Sequence, residues 1–499
     1  MNAVRLSKIA ELTGNKPSAV RKDKEITSIC RDSRKALPNS AFFCLVGAVS
    51  DGHDHALSAY ERGCRVFVCE RIPKGFPKRD AKLIICRGMT ARQALADVAA
   101  EFYGHPEREM TLVGITGTKG KTTVACMIYD ILNANGVAAG YIGTNGVRFA
   151  DYKFETVNTT PESCEIYEYL SMMLQSGVKT AVIEVSSQAM KMGRVRGLTF
   201  DTCVFTNLYP DHIGGAEHRD MEEYKNCKKM LFSDHCGRYA VINADSPEAE
   251  EFASAAGDKV IRLSYAVDRN ATLRGESIEL CRDARGIGTR FVCRTVRDKL
   301  ECRLSFPGRF SVMNALAAVA VCGIYGVDLG SAVDTLSRIR IDGRFETVRF
   351  GGVDYVIDYA HNGESLRSVL SALREYSPRR LICLFGSVGG RTFTRRAEMG
   401  RAAAEMADLS ILTSDNPGPE SPENIIADIA AVYGEGQEFV SIPDREKAIE
   451  YAVSVAREGD VVLLAGKGQE KYQLIGTLKL PFCEKDILYR LQKASEIEA

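Results

Sequence analysis

Residues 113–123 combine glycine, lysine and threonine in an order that suits phosphate binding, reading Val-Gly-Ile-Thr-Gly-Thr-Lys-Gly-Lys-Thr-Thr. Gly117 and Gly120 let backbone N–H groups approach phosphate oxygens, Lys121 supplies a cation, and Thr122 offers a hydroxyl to Mg²⁺. The strict phosphate-loop pattern has glycine where this chain has Ile115, so the stretch is a variant of that loop. A nucleotide-consuming enzyme is the leading hypothesis, and a glycine-rich turn without a ligand is the alternative.

The flanks of this stretch predict the elements that must position it. Residues 111–115 form a short apolar run, which indicates a buried strand. Apolar residues at helical spacing follow the loop: Val124, Met127, Ile128, Ile131 and Leu132. An anion would therefore lie at the N-terminus of a helix, where backbone N–H groups have no partner within the helix.

Composition narrows the class of protein. The chain has 499 residues, enough for about three domains. Its 65 basic and 65 acidic residues balance, which gives no electrostatic reason to expect nucleic acid or an anionic membrane as a partner. The sixteen cysteines are not arranged in Cys-x-x-Cys pairs and lie mostly in apolar runs, so we expect reduced core residues. Without a signal-peptide core or a long apolar run, we expect a cytoplasmic protein without membrane insertion. We also expect a monomer.

Turn residues divide the chain into three predicted domains: 1–106, 107–341 and 342–499. Gly104-His105-Pro106 precedes the phosphate-loop strand, and Ile341-Asp342-Gly343-Arg344 marks the second boundary. We predict an α/β fold in all three: a small first domain, a central parallel sheet of the nucleotide-binding kind with an antiparallel extension at 272–304, and a C-terminal Rossmann-like doubly wound sheet.

Polar residues follow the predicted strands of both larger domains, where ligands of open α/β sheets gather. In the central domain these are Glu184, Asp211-His212 and, on a predicted helix, Lys228. Glu184 could hold Mg²⁺ directly or through water. Taken singly these are weak signals, because an acid at a strand end is structural about half the time, a lone histidine more often than not, and a helical lysine is nearly always solvated. In the last domain we predict short aliphatic strands at 353–357, 381–385, 409–413 and 461–465, and polar residues follow them at 358–362, 386–391, 415–418 and 466–470.

The order of these motifs resembles the Mur ligases. The motifs are Thr116-Gly-Thr-Lys-Gly-Lys-Thr-Thr123, Glu184-Val-Ser-Ser187, Thr206-Asn-Leu208 with Asp211-His212, Gly343-Arg-Phe-Glu346, Asp358-Tyr-Ala-His361 and Asp415-Asn-Pro417. They cover nearly the whole chain, and they are most similar to members that add the third peptide residue of a peptidoglycan precursor.

The resemblance implies an ATP- and Mg²⁺-dependent amide ligase acting on UDP-N-acetylmuramoyl-L-Ala-D-Glu and an amino acid. ATP phosphorylates the substrate carboxylate, and the amino acid's amine attacks the resulting acyl phosphate. The implied catalytic residues are Lys121, Lys228, Glu184 and His212. The implied ATP-binding residues are Gly117, Thr118, Lys119, Gly120, Lys121, Thr122, Thr123, Asn314, Arg344, Asp358 and His361.

Lys228 corresponds, by the same resemblance, to a lysine that carries a carbamate. A free ammonium would repel Mg²⁺, whereas a carbamate is an anionic oxygen ligand. The implied metal-binding residues are Thr122, Glu184, His212 and carbamylated Lys228. An ordinary surface lysine remains the alternative, as does the same role for Lys225 or Lys229.

The first and central domains supply the residues implied for the nucleotide-sugar substrate. They are Ser33, Ala48, Val49 and Ser50 at the uridine end, and Asn158, Thr159, Thr160, Ser186 and Arg194 at the muramoyl-peptide end. Hydroxyls and a guanidinium suit pyrophosphate and carboxylate groups.

The identity of the amino acid substrate is predicted from position 418, which is glycine in this chain. Relatives that use meso-diaminopimelate have arginine there, whose fork grips the second carboxylate. The implied pocket consists of Arg391, Asp415, Asn416, Gly418, Gly466 and Glu470. Because glycine offers no side chain, while Asp415 and Glu470 could attract a terminal ammonium, we predict L-lysine, as in Gram-positive members. L-Ornithine fits the same charges, and Arg391, Arg395 or Arg396 could replace the missing fork for diaminopimelate.

Two further functions remain open. A sister ligase such as folylpolyglutamate synthase shares the phosphate loop, although the uridine-pocket residues disfavour it. A nucleotide-binding regulator that has lost ligation is the alternative from a different class.

Overall fold

The computed structural model describes residues 3–20, 22–47, 50–77, 80–211, 213–214, 217–283 and 285–498. The chain divides into two compact units, residues 1–272 with 317–328, and residues 273–316 with 329–499. Each unit is described by itself.

The first unit begins with a small α/β region. A parallel sheet has the order β3-β4-β5-β6, and a two-stranded antiparallel pair joins β1 to β2. The elements are β1 Val4–Arg5, α1 Leu6–Leu12, β2 Glu25–Ile26, β3 Ser28–Cys30, β4 Ser40–Phe43, α2 Ala56–Glu61, β5 Val66–Cys69, β6 Lys82–Ile85 and α3 Ala91–Phe102. Short 3₁₀ helices cover Pro17–Ala19, Ser33–Lys35, Gly52–His55 and Pro106–Arg108.

The rest of this unit is built on a larger sheet whose strands have the order β10-β9-β8-β11-β7-β12-β13-β14. The run from β8 to β14 in that order is parallel, and β9 and β10 add an antiparallel hairpin. The elements are β7 Thr111–Thr116, α4 Lys121–Ala134, β8 Ala139–Gly143, β9 Gly146–Phe149, β10 Tyr152–Phe154, α5 Ser163–Gln175, β11 Thr180–Glu184, α6 Ser187–Lys191, β12 Phe200–Phe205, α7 Met221–Ser233, β13 Cys236–Asn243, α8 Ala249–Ala255 and β14 Ile261–Ala266. Because β7, β11 and β12 are parallel neighbours, their carboxyl ends share one edge, where the phosphate loop lies.

The second unit combines an antiparallel run, β15-β16-β17, with a sheet of order β18-β19-β23-β20-β21-β22. That sheet is parallel apart from β18. The elements are β15 Leu273–Asp283, β16 Gly286–Arg294, β17 Lys299–Leu304, α9 Gly308–Ile324, α10 Leu329–Leu336, β18 Glu346–Phe350, β19 Val353–Asp358, α11 Gly363–Arg374, β20 Leu381–Phe385, α12 Phe393–Met406, β21 Leu409–Leu412, α13 Pro422–Ala430, β22 Phe439–Ser441, α14 Arg445–Val455, β23 Val461–Ala465, β24 Tyr472–Ile475, β25 Leu478–Pro481 and α15 Glu484–Glu498. α9 continues past Leu316 into the residues of the first unit.

The predicted α/β class, the central parallel sheet and the doubly wound C-terminal sheet are confirmed. The strands predicted at 381–385 and 461–465 have the predicted bounds. β8 and β14 were not predicted, nor was the β24–β25 hairpin, because short or half-exposed strands leave a weak periodic signal. All sixteen cysteines are free thiols and thirteen are buried, as expected. Within the described part of the chain, every helix is too short or too polar to traverse a bilayer.

Candidate functional site

The phosphate loop joins β7 to α4, and its shape requires glycine at two positions. Gly117 has φ +146° and Gly120, which precedes α4, has φ +84°. Both values are strained for residues with a side chain. A Cβ on Gly117 would also collide with the Thr206 hydroxyl. Thr206, directly after β12, therefore excludes a side chain at position 117.

The residues after β12 hold this loop in place. The Asn207 carbonyl accepts the Thr118 N–H at 2.9 Å, and its side-chain oxygen accepts the Lys119 N–H at 2.9 Å. The Thr206 hydroxyl donates to the Lys119 carbonyl at 2.7 Å. The clamping role of Asn207 was not predicted, although its motif was noted, because it depends on which strand lies beside β7.

Three lysine ammonium groups lie around the loop. Lys121 Nζ donates to the carbonyls of Gly117 and Thr118 at 2.8 and 3.0 Å, and Lys228 Nζ donates to the Gly117 carbonyl at 2.9 Å. Lys119 Nζ pairs with Asp211 at 3.1 Å. Lys119 and Lys121 thus place two cations next to a helix N-terminus, an arrangement suited to a polyanion.

Lys228 lies on the buried face of α7 and is 1% exposed. Its Nζ lies 4.3 Å from the ring centroid of Tyr224, one helical turn earlier. Burial lowers the pKa of the Lys228 ammonium well below its usual range, and Lys121 lowers it further. Lys225 and Lys229 instead pair with Glu251 of α8, at 3.1 and 2.6 Å. Of the three candidates, Lys228 is thus the one that reaches the loop.

Glu184, at the end of β11, accepts four hydrogen bonds and is fully buried. Oε1 accepts the Tyr141 hydroxyl at 2.6 Å and the Thr144 N–H at 3.0 Å. Oε2 accepts the hydroxyls of Thr122 and Thr144 at 2.8 and 3.2 Å. Tyr141 and Thr144 were not predicted as site residues, since no motif marks them and only the pairing of β8 with β11 brings them to Glu184.

The pair of Thr122 and Glu184 fits a divalent cation. Because the Thr122 hydroxyl gives its proton to the carboxylate, its oxygen lone pairs remain available as a cation ligand. Among the described residues there is no group of three or more His, Cys, Asp or Glu that could hold a metal. His212 of the predicted metal set lies outside the described residues. Thr123 follows Thr122 in the first turn of α4.

The residues predicted for the muramoyl-peptide end gather next to Glu184. The Thr160 hydroxyl donates to the Glu184 carbonyl at 2.7 Å and lies 3.3 Å from the Ser186 hydroxyl. Arg194 donates to the Thr160 carbonyl at 3.0 Å and pairs with buried Glu162 at 3.0 Å. Arg92 contacts the same carboxylate, so two buried arginines share one glutamate. These two arginines and Glu162 together carry one net positive charge.

Two more predicted residues lie near this group. The Thr159 hydroxyl is 3.0 Å from that of Thr144, and Asn158, just before it, is half-buried. At the predicted uridine end, Ser33 starts a 3₁₀ helix and the Ser50 hydroxyl lies 3.0 Å from His55 Nε2. Ala48 and Val49 lie outside the described residues.

In the second unit, predicted nucleotide-binding residues lie at the end of β19. Asp358 accepts the Phe345 N–H at 3.0 Å, and burial raises the pKa of its carboxyl while Arg344 opposes that shift. Burial lowers the pKa of His361 to about 4, so its imidazole is neutral at pH 7. His361 Nδ1 lies 2.8 Å from the Tyr359 carbonyl, which fixes the proton on Nδ1 and leaves Nε2 as an acceptor. Asn314 is buried on α9.

The ends of β21 and β23 bring the predicted amino-acid residues together around Lys467. Lys467 Nζ donates to Asn416 Oδ1 at 2.8 Å and pairs with Glu470 at 3.0 Å and Asp415 at 3.4 Å. Gly466, with φ +114°, leaves room for Asp415, because a Cβ there would lie 2.7 Å from Asp415 Oδ2. Lys467 was not predicted as a site residue.

The possible substitutes for an arginine at Gly418 differ in their contacts. Arg396 is buried and bonded to Glu420 and Asp428, and Arg395 donates to the His361 carbonyl at 2.9 Å. Arg391 is exposed. Around Gly418 itself a Cβ would meet open space, although φ is +57°.

Comparison with known proteins agrees with this arrangement. Residues 115–322 match the family model described as Mur ligase middle domain, residues 343–468 the Mur ligase glutamate ligase domain, and residues 25–103 the Mur ligase family catalytic domain. The UDP-N-acetylmuramoyl-L-alanyl-D-glutamate–2,6-diaminopimelate ligase of Caldanaerobacter subterraneus subsp. tengcongensis is 38% identical over 95% of this chain and 96% of its own length. That of Bacillus licheniformis is 36% identical over 98% of this chain and 99% of its own.

Solved structures show the same fold. A ligase with the same name has a TM-score of 0.67 and 25% identity, covering 99% of this chain and 100% of the other. Folylpolyglutamate synthase of Mycobacterium tuberculosis has a TM-score of 0.61 at 16% identity over 74% of this chain and 92% of its own, which shows the fold alone. The phosphate loop, with Lys121, Lys228 and Glu184 around it, agrees with these matches. This chain belongs to the Mur ligase family of ATP-dependent ligases.

Proposed function

We propose that this chain joins an amino acid to UDP-N-acetylmuramoyl-L-alanyl-D-glutamate, as the third peptide residue of a peptidoglycan precursor. The relatives described above carry this substrate in their names and are similar over nearly their whole length. The observation that carries the proposal is the convergence of Lys121, Lys228 and the Thr122–Glu184 pair at one loop, beside Thr160, Ser186 and Arg194.

The chemistry suits these residues. A carboxylate is a poor electrophile until ATP phosphorylates it, and transfer of a phosphoryl group between two anions needs cations that balance the charge. Lys121 supplies one such charge at the loop, and Arg194 holds a carboxylate of the peptide substrate. The amino acid's amine then attacks the acyl carbonyl and inorganic phosphate leaves.

Mg²⁺, when bound, balances the phosphate charge and orients the transferring group. Thr122 would contact it directly, and Glu184 would hold Thr122 in position. His212 belongs to the same proposed set.

We extend the proposal to a carbamate on Lys228. Only a neutral amine adds to CO₂, and burial together with Lys121 favours the neutral form of Lys228. The neutral nitrogen forms a bond to the carbon of CO₂ and releases one proton, so the side chain becomes an anionic oxygen ligand. This change would remove the repulsion between Lys228 and a metal ion held by Thr122.

The proposed amino acid is L-lysine, on the basis of Gly418. With Arg396 occupied by Glu420 and Asp428, a fork for the second carboxylate of diaminopimelate would have to come from Arg391 or Arg395. The relatives are diaminopimelate ligases by name, which makes diaminopimelate the second candidate, and L-ornithine is the third.

Phosphate release by the purified chain decides between these amino acids. ATP, Mg²⁺, bicarbonate and UDP-N-acetylmuramoyl-L-Ala-D-Glu are supplied with L-lysine, L-ornithine or meso-diaminopimelate. We expect the highest kcat/KM with lysine, and a higher value with diaminopimelate would refute that choice. Gly418→Arg should raise the relative use of diaminopimelate. Gly436→Arg is the control, because Gly436 also has positive φ and open space for a Cβ but is exposed and lies away from the Lys467 contacts, whereas Gly418 is buried.

The same assay separates the alternative functions. A folate substrate in place of the UDP-muramoyl dipeptide should give no phosphate release, and release with folate alone would indicate a folylpolyglutamate synthase. ADP formation that requires the amino acid would exclude a nucleotide-binding regulator. No transfer of label from γ-labelled ATP to the muramoyl substrate would refute the whole proposal. The cytoplasmic, monomeric state stays a prediction.

A further inference from the structure

Lys467 follows β23 and is fully buried, although lysine is among the residues least often buried. A buried ammonium persists only where anionic or polar partners compensate for lost hydration. Lys467 has three such partners, Asp415, Asn416 and Glu470, which come from the ends of two strands that are not neighbours in the sheet. We call these four residues the Lys467 ring.

The ring is closed by its own hydrogen bonds. Asn416 Nδ2 donates to Glu470 Oε2 at 2.8 Å, and Lys467 Nζ donates to the same oxygen at 3.0 Å. The Leu474 N–H donates to Asn416 Oδ1 at 2.9 Å, which fixes the orientation of the amide. Lys467 therefore sets the positions of both carboxylates.

The charges of the ring leave one unit of negative charge. Asp415 and Glu470 contribute two negative charges and Lys467 contributes one positive charge. The nearby buried pair of Arg445 and Glu484, 2.8 Å apart, adds no net charge. Lys467 bonds Asp415 through Oδ1 and Glu470 through Oε2, which leaves Asp415 Oδ2 and Glu470 Oε1 outside these bonds.

The opening of the ring is at Glu470. Its side chain is 19% exposed, whereas those of Lys467 and Asp415 are almost fully buried. A ligand that reaches Glu470 thus meets the net charge of −1 of the Lys467 ring at the carboxyl edge of a doubly wound sheet, where ligands of such sheets bind. An ammonium group matches that charge.

We propose that Lys467 is a specificity-determining residue, which holds Asp415 and Glu470 apart and sets the pocket to accept one ammonium group of the incoming amino acid. Lys467 touches the two carboxylates and acts through them. The proposal deepens the function proposed above, on which it rests. Without Lys467, the Asp415 and Glu470 carboxylates would lose the cation that both contact, and their mutual repulsion would displace them.

The test compares Lys467→Met with Lys471→Met in the full chain. Methionine keeps the length of the side chain and removes its charge, and Lys471 is an exposed lysine four residues further along. We expect Lys467→Met to raise the KM for the amino acid about tenfold or more. The KM values for ATP and for the UDP-muramoyl dipeptide should stay within about twofold, and Lys471→Met should match the wild type.

A charge-balanced double variant separates an electrostatic role from a structural one. Glu470→Gln alone removes the excess negative charge and should also raise the KM for the amino acid. Lys467→Met combined with Glu470→Gln restores a net charge of −1, so its KM should lie below the product of the two single effects by about fivefold or more. A purely structural role predicts losses that multiply.

The outcomes are distinct from those that test the reaction itself. If the wild type shows no phosphate release that depends on both substrates, the proposed function fails. If the wild type is active and Lys467→Met leaves the KM for the amino acid unchanged, or raises all three KM values together, the inference about Lys467 fails. The inference also fails if the effects of the two single substitutions on KM simply multiply in the double variant. If circular dichroism shows that Lys467→Met does not fold, Glu470→Gln becomes the test, and an unchanged KM for the amino acid in that variant would refute the inference.

Discussion

The Tyr141 hydroxyl holds the carboxylate of Glu184, and this carboxylate in turn orients Thr122. Removing the Tyr141 hydroxyl therefore tests that arrangement. Tyr141→Phe deletes the 2.6 Å bond to Glu184 and leaves the Asn145 N–H, now 3.1 Å from the hydroxyl, without that acceptor. A hydrogen bond to a charged group contributes about 1.5–3 kcal/mol, and an orphaned buried donor costs about 1–3 kcal/mol. Since Thr144 still donates to the same oxygen, we expect the free energy of unfolding to fall by an amount near the low end of the two ranges added together, about 3 kcal/mol.

That loss has two measurable consequences. Urea denaturation should show the free energy of unfolding lowered by about 3 kcal/mol. If about half of that energy orients Glu184 toward Thr122, the Mg²⁺ concentration for half-maximal phosphate release should rise about tenfold, since 1.4 kcal/mol corresponds to a factor of ten.

Tyr129→Phe is the matched control. Its ring lies 6.3 Å from that of Tyr141, and the Arg148 guanidinium stacks over both rings at 4.8 and 4.9 Å. The control thus alters a hydroxyl in the same aromatic group that does not bond to Glu184. An unchanged Mg²⁺ dependence in Tyr141→Phe, or equal effects of the two variants, would refute the reasoning.

Three further predictions concern Lys228, His361 and Gly117. Lys228→Ala should abolish ligation, with partial recovery on adding short carboxylic acids that replace the carbamate; full activity without them would contradict a role for Lys228. His361 has a folded pKa of about 4, below its value near 6.5 in the unfolded chain, so its contribution to stability is present above about pH 6.5 and is lost as the pH falls toward 4. Between pH 7 and pH 4.5 the free energy of unfolding, measured by denaturation, should fall less in His361→Gln than in the wild type. An equal fall in both proteins would contradict this role of His361. Gly117→Ala should abolish ATP binding in calorimetry, because its Cβ would collide with Thr206 in a backbone conformation that alanine avoids. Gly136→Ala, also at positive φ but with open space around it, should bind ATP normally.

The sequence alone predicted the elements whose signals are local. An apolar run at 111–115, two glycines and a Lys-Thr pair specify a strand, a loop and a helix start, because each depends on residues a few positions apart. The long aliphatic strands at 381–385 and 461–465 were found for the same reason. The order of motifs along the chain was enough to identify the family.

Tertiary structure decided which side chains meet. Glu184 and Tyr141 are 43 positions apart, and Lys467 and Asp415 are 52 positions apart, so no local pattern links them. Parallel pairing of β8 with β11, and the return of β23 between β19 and β20, bring these residues to one edge of each sheet. The amino-acid sequence thus shows which chemical groups are present, while strand order determines which of them are neighbours. The reason is that in a crossover fold the contacts that position a site form between segments distant in the chain.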